Sequence, residues 1–223
     1  MGGMLVVTPM MREPNGKARL YGRALQSVFN LEWDGQIDHY IANGNDDYSN
    51  GSGTVTRKYL EARAVFLAGS WEWLCCAEYD MIVPPDGLKR LAALDADIAY
   101  ALYCFRHQSR KEWNAYTELT VTHGKSISKD ANAARQAWGN VIPVAGVGQG
   151  FTLFQRHVIE AVPFRYWKGV SSDWAMAYDA QRVGLTQVCD TSVVCGHMTL
   201  TPSPQVLWPD VNEEKLYRTE FIG

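Results

Sequence analysis

Residues 71–94, WEWLCCAEYDMIVPPDGLKRLAAL, leave this chain few architectures to choose from. Trp73, Leu74, Cys75, Cys76 and Ala77 form a nearly continuous apolar run, the pattern of a central strand covered on both faces of a parallel sheet. Pro84, Pro85 and Asp86 then open a helix with Leu88, Leu91 and Leu94 on one stripe. Between strand and helix lie two acids, Glu78 and Asp80, separated by Tyr79. Carboxylates just past the carboxyl end of a buried strand stand where open α/β sheets place their ligands, and such a pair suggests a bound divalent cation. A second acid-x-acid triplet, Asp95-Ala96-Asp97, follows the helix and precedes the strand 98–103. It therefore belongs to the opposite rim and reads as a solvated connection.

The remaining bounds are set by length and charge. With 223 residues the chain suits one α/β domain, long enough to bury about 70 % of its unfolded surface. A net charge of −3 with acids and bases interspersed offers no footprint for a nucleic-acid backbone. Five cysteines, at 75, 76, 104, 189 and 195, lie mostly in apolar contexts and read as reduced core residues. No run of about 18 apolar residues occurs. The first residues have neither the basic start and apolar core of a signal peptide nor a myristoylation pattern. Asn50-Gly51-Ser52 would accept a glycan only in a secretory compartment, which nothing else supports. A soluble, cytoplasmic protein is expected.

In chain order, residues 5–9 read as a buried first strand ended by Pro9. Leu20, Ala24, Val28 and Leu31 recur at helical spacing, and 37–41 form a second strand followed by the turn-rich residues 43–47. Residues 59–67 make a helix with Tyr59, Ala62 and Phe66 on one side. After the strand at 97–105 comes a polar, aromatic stretch, 106–143, with Trp113, Tyr116 and Trp138 and a hairpin near 118–123. Trp faces are good platforms for sugar rings, and so long a stretch of weak periodicity in a compact domain tends to be functional. Gly146-Val147-Gly148-Gln149-Gly150 is followed by the strand-like 151–154, whereas a dinucleotide motif needs a strand before its glycines and a helix after them.

Several of these positions fall in one register that resembles the glycosyltransferases of the GT-A fold, family-2-like. Glu78-Tyr79-Asp80 is similar to their Asp-x-Asp signature, with Glu for the first Asp. Gln26-Ser27 and the glycine bend leading into a strand and Arg156 fit as well. Residues 169–197 carry Ser171-Ser172-Asp173 opening a helix, Gly184 ending it, Asp190-Thr191 as a turn and Gly196-His197 on the last strand, with Ser172 where relatives have Glu. Asn43 stands where relatives usually carry an acid that grips the base, which leaves the base open. The resemblance covers residues 4–200, with its firmest motifs at 73–80 and 169–197.

That resemblance implies a single GT-A (Rossmann-like) α/β domain with a mostly parallel central sheet flanked by helices. Residues 1–105 would bind the nucleotide sugar, 106–200 the acceptor, and 201–223 would form a tail along the site's edge or on the surface. It implies a metal-dependent transfer from a UDP- or GDP-linked sugar to a hydroxyl, with inversion. Asp80 and His197 would hold Mn²⁺, or Mg²⁺, and Asp173 would be the general base. Its helix N-terminal position is expected to lower the Asp173 pKa; as a structural residue it would be a helix cap. Glu78 would meet the ribose or a metal-bound water, and Thr8, Pro9, Asn43, Arg63 and Tyr79 would line the nucleotide pocket. Alternatives are a non-catalytic nucleotide- or sugar-binding module, and a sugar-nucleotide nucleotidyltransferase, which normally opens with a glycine-rich loop that residues 1–12 do not supply.

Overall fold

In the computed structural model, the described residues are 2–10, 21–43, 51–106, 111–166, 171–199 and 204–222. Leu20, the turn residues 44–47, Asn50, Gly169 and Val170 lie outside them. The apolar runs become strands of one seven-stranded sheet. In chain order these are β1 (Met4–Pro9), β2 (Ile37–Ala42), β3 (Trp73–Ala77), the short β4 (Met81–Ile82) of a second sheet, and β5 (Ile98–Leu102). Next come the hairpin β6 (Tyr116–Leu119) and β7 (Gly124–Ser126), then β8 (Val141–Pro143), β9 (Phe151–Gln155) and β10 (Gln187–Val194). The large sheet runs β2-β1-β3-β9-β5-β10-β8. Strands β2, β1, β3, β5 and β10 share one direction, while β9 is inserted antiparallel between β3 and β5, and β8 closes the edge antiparallel to β10.

Period-two alternation sorts the strand residues to two faces. Leu5, Val7, Leu74, Cys76 and Tyr100 meet Tyr59, Ala62 and Phe66 of helix α2 (Gly51–Ala68). Met4, Val6, Cys75, Ala77 and Ala99 meet Val28 of α1 (Gly22–Phe29) and Leu88 and Leu91 of α3 (Gly87–Ala92). Leu74, Cys75, Cys76 and Ala77 are fully buried, as expected of a strand covered on both sides. The Gln26-Ser27 motif has a structural use: the Ser27 hydroxyl accepts the Val83 N–H at 3.0 Å and donates to the Ala24 carbonyl at 2.7 Å, tying α1 to the segment after the acids. Helices α4 (Ala131–Ala137), α5 (Arg156–Ala161) and α6 (Ser172–Arg182) complete the layers.

One expectation changes. Asp190 and Thr191 do not form a turn: both lie inside β10, which stays one strand through an irregularity between Asp190 and Val194. The segment after residue 203 takes a regular form: β12 (Gln205–Pro209) and β13 (Tyr217–Phe221) extend a four-stranded sheet ordered β13-β12-β11-β4, with β11 covering Gly196–Met198. Among the described residues no helix is long and apolar enough to cross a membrane.

Candidate active site

The second sheet explains how two distant pieces of chain meet. After β3 the chain turns tightly over Glu78, Tyr79 and Asp80, with the Met81 N–H bonded to the Glu78 carbonyl at 3.0 Å, and continues as β4. Strand β11 pairs with β4 in the register His197↔Met81, and the Met198 N–H donates to the Asp80 carbonyl at 2.9 Å. His197 Nε2 comes to lie 3.7 Å from Asp80 Oδ2, both side chains being almost wholly buried. The ring tautomer follows from its other contact: Nδ1 lies 2.7 Å from the Cys104 carbonyl, which only accepts, so Nδ1 carries the proton and Nε2 the lone pair.

Among the described residues, neither His197 Nε2 nor Asp80 Oδ1 has a hydrogen-bond partner. A buried polar atom left unpaired is costly and calls for an explanation. A carboxylate oxygen and an imidazole lone pair facing each other fit a divalent cation such as Mn²⁺. Among the described residues no group of three or more His, Cys, Asp or Glu side chains is disposed to hold an ion. Asp80 and His197 are the two side chains here that could hold such an ion. Arg106, just past β5, donates from Nη1 to Asp80 Oδ2 and at 3.5 Å to the Met198 carbonyl. Burial alone would raise the Asp80 pKa, but the neighbouring His197 ring and the Arg106 guanidinium outweigh it and hold it below the ordinary carboxylate value.

Glu78 belongs to the same cluster. Its Oε1 accepts the Tyr59 hydroxyl at 3.2 Å, and burial first, then the negative charges of Asp80 and Asp173, push its pKa up to about 7. Tyr79 stacks on Tyr21 with ring centroids 6.0 Å apart, and burial, with Asp80 beside it, pushes its phenol up to about 12. Tyr103 sets its ring edge-on to His197, centroids 5.4 Å apart, and its hydroxyl accepts the Gly150 N–H at 3.3 Å.

The glycines of 146–150 are required by these neighbours. A Cβ on Gly148 would stand 2.1 Å from the Tyr103 hydroxyl and 3.3 Å from Asp173 Oδ2. Gln149 between Gly148 and Gly150 is buried, and neither atom of its amide has a partner. Asp173 sits inside the first turn of α6, one residue past its start, while Ser171 holds the cap position. Asp173 is therefore not the cap. Its Oδ1 accepts the Trp174 N–H at 2.9 Å. Burial raises the Asp173 pKa against the hydrogen bonds from Ser171 and Trp174, so the lowering expected from the helix terminus is overridden. Asp173 also opens into a cavity of about 100 Å³, walled by Phe105, Tyr116, Val147, Gly148 and Trp174.

Asp80, His197, Glu78, Tyr79 and Asp173 are thus brought to one end of the sheet. Thr8 and Pro9 close β1 beside Ile41 and Ala42, with Asn43 next along the chain. Arg63 is not brought to this cluster: its Nε donates to the Ile159 carbonyl at 2.9 Å and its Nη2 to the Glu160 carbonyl at 3.3 Å, capping α5. Trp113 is no sugar platform either, being fully buried with its indole N–H on the Leu216 carbonyl at 2.7 Å and its ring against Trp138. Asp97 lies at the amino end of β5, bound to Thr186 and to His157 at 2.8 Å, on the rim expected. Sequence reasoning passed over Arg106, Tyr103, Gln149 and Trp174. Arg106 was open to the same positional logic as Glu78, since it too follows the carboxyl end of a buried strand.

No protein-family model matches the chain, and no curated protein does. Among solved structures, the crystal structure of A197 from STIV superposes with a TM-score of 0.62 at 12% identity, over 99% of this chain and 94% of that one. The mannosyltransferase PcManGT from Pyrobaculum calidifontis, solved with GDP-Man and Mn²⁺, gives a TM-score of 0.49 at 13% identity, over 87% of this chain and 56% of its own. At such identity the likeness to A197 is one of fold, and it extends over nearly the whole chain.

Proposed function

We propose that this protein is a metal-dependent glycosyltransferase of the GT-A type, moving a sugar from a nucleoside diphosphate sugar to an acceptor hydroxyl with inversion. The observation that carries the reading is the meeting of Asp80 and His197 at 3.7 Å, each with a buried atom unpartnered among the described residues, beside Glu78, whose pKa both Asp80 and Asp173 raise. Mn²⁺ or Mg²⁺ held there supplies a Lewis acid for the diphosphate leaving group, worth several kcal/mol in a transition state of this kind. The residues 1–105 form the nucleotide-sugar half, with Thr8, Pro9, Asn43, Glu78 and Tyr79 around a UDP- or GDP-linked donor. The acceptor enters over the cavity beside Trp174.

In the transfer, the acceptor oxygen forms a bond to the anomeric carbon while the bond to the diphosphate breaks and its electron pair leaves with the nucleotide. The acceptor proton goes to Asp173. Its Oδ1 is held by the Trp174 N–H, so Oδ2, which faces Gly148, receives it. A raised pKa strengthens Asp173 as a base and confines its work to pH above that pKa.

The test is Mn²⁺-dependent affinity for UDP and GDP, together with turnover of a panel of nucleotide sugars. Asp80→Ala is expected to abolish both metal dependence and turnover, and Asp173→Asn to bind donor normally and fail in transfer. Full turnover in Asp80→Ala would refute the metal role, and nucleotide affinity indifferent to Mn²⁺ would leave a binding module.

A further inference from the structure

We propose that Arg106 is the resident cation of the Asp80 carboxylate, yielding it to a divalent metal when a nucleoside diphosphate arrives to take the guanidinium in turn. The proposal rests on the metal-dependent donor site argued above. Asp80 is 1% exposed, and a carboxylate so buried needs a counter-charge. Arg106 provides it through Nη1 on Oδ2, the oxygen that also lies 3.7 Å from His197 Nε2. A guanidinium and a divalent ion cannot share that oxygen without strong repulsion. Two groups of the same site, Asp80 Oδ1 and His197 Nε2, stay unpartnered while Arg106 is in place. A guanidinium fills half of the polar demand here and leaves the half that suits a metal.

Arg106 is also built to move. Its side chain is 32% exposed beside a wholly buried partner; besides Asp80 it meets the Tyr79 side chain and, at a long 3.5 Å, the Met198 carbonyl. Glu78, Tyr79 and Asp80 face it from the β3–β4 turn; burial alone would lower the Arg106 pKa, but Asp80, Tyr79 and Glu78 together outweigh it and keep the guanidinium charged. A planar fork released from one carboxylate at the mouth of a donor site matches the paired oxygens of a diphosphate. The consequence is thermodynamic: metal alone must displace Arg106 with nothing to receive it, whereas metal and nucleotide together exchange one ion pair for two. Binding of the two is cooperative, and Arg106 is the positioning residue that makes it so.

Titration of Mn²⁺, read by the electron spin resonance signal of the free ion, tests this on wild type, Arg106→Gln and Arg106→Lys, with and without UDP or GDP. Without nucleotide, Arg106→Gln is expected to bind Mn²⁺ about tenfold or more tighter than wild type, and to lose most of the gain that nucleotide gives the wild type. Arg106→Lys keeps a charge without the fork, so its affinity for Mn²⁺ alone stays at the wild-type value while the nucleotide gain falls. Mn²⁺ alone binding Arg106→Gln no tighter than wild type overturns the proposal; if that variant does not fold, an undiminished nucleotide gain in Arg106→Lys overturns it. Asp80→Ala separates the two failures. If wild type binds Mn²⁺ through Asp80 and only the Arg106 variants depart from expectation, this proposal alone falls, and if Asp80→Ala binds Mn²⁺ like wild type, the metal site falls with it.

Discussion

Glu78 is set against its surroundings in a way that a single substitution can weigh. In the folded protein its pKa stands at about 7 against an ordinary 4.5, because burial and the charges of Asp80 and Asp173 all disfavour the carboxylate. A carboxyl that holds its proton more tightly when folded makes the folded state the better proton binder between those two values. Stability therefore falls as pH rises from 4.5 to about 7 and is flat outside that window. At about 1.4 kcal/mol per pH unit, the gap amounts to about 3 kcal/mol. Glu78→Gln removes this dependence yet keeps an acceptor for the Tyr59 hydroxyl, now 3.2 Å from Oε1. Urea unfolding of both proteins in chelator, from pH 4 to 8, gives the difference directly: the variant should gain on wild type by about 3 kcal/mol across the window. Parallel profiles, or a wild type that gains on the variant with rising pH, would refute the argument that Glu78 is held neutral by its neighbours.

Other expectations follow from the same geometry. Gly148→Ala puts a methyl 2.1 Å from the Tyr103 hydroxyl; it should cost about 1–3 kcal/mol in unfolding measurements and depress transfer more than donor affinity. Arg63→Ala should lower stability by about 1–2 kcal/mol through the two lost bonds to α5, and equilibrium binding should find nucleotide affinity unchanged. Trp174→Ala strips one wall of the cavity beside Asp173 and should raise the acceptor KM with donor affinity unaltered in steady-state kinetics. Transfer by the wild type should rise with pH along a limb displaced above the ordinary carboxyl range, as Asp173 loses its proton, and Asp173→Asn should abolish that limb in a pH–rate profile.

What could be read from the sequence was what local pattern controls. The apolar run 73–77, the turn at Glu78–Asp80 and the strand after Gly150 are each specified by neighbours a few residues apart, and each stands where the pattern put it. Residues such as Arg63 and Trp113 were misread because their partners, the Ile159 and Leu216 carbonyls, are distant in the chain and belong to the backbone, which carries no residue code. Asp190-Thr191 has turn composition, while the pairing of β10 with β5 that holds it extended is a tertiary effect. Asp173 was assigned the wrong direction of shift since burial, invisible in one sequence, outweighs the terminus of a helix.

Strand β11 spans only Gly196–Met198 and is gripped by β4 on one side and β12 on the other. The histidine it carries is thus fastened to the ribbon of residues 204–222 through the pairing His197↔Leu207. On the proposed function, an ion bound by Asp80 and His197 would stabilise the docking of that ribbon, and the ribbon the ion, by the same factor. Amide protons of β12 and β13 should exchange with solvent more slowly once Mn²⁺ and a nucleotide are bound, so strands that supply no ligand would report whether the site is filled.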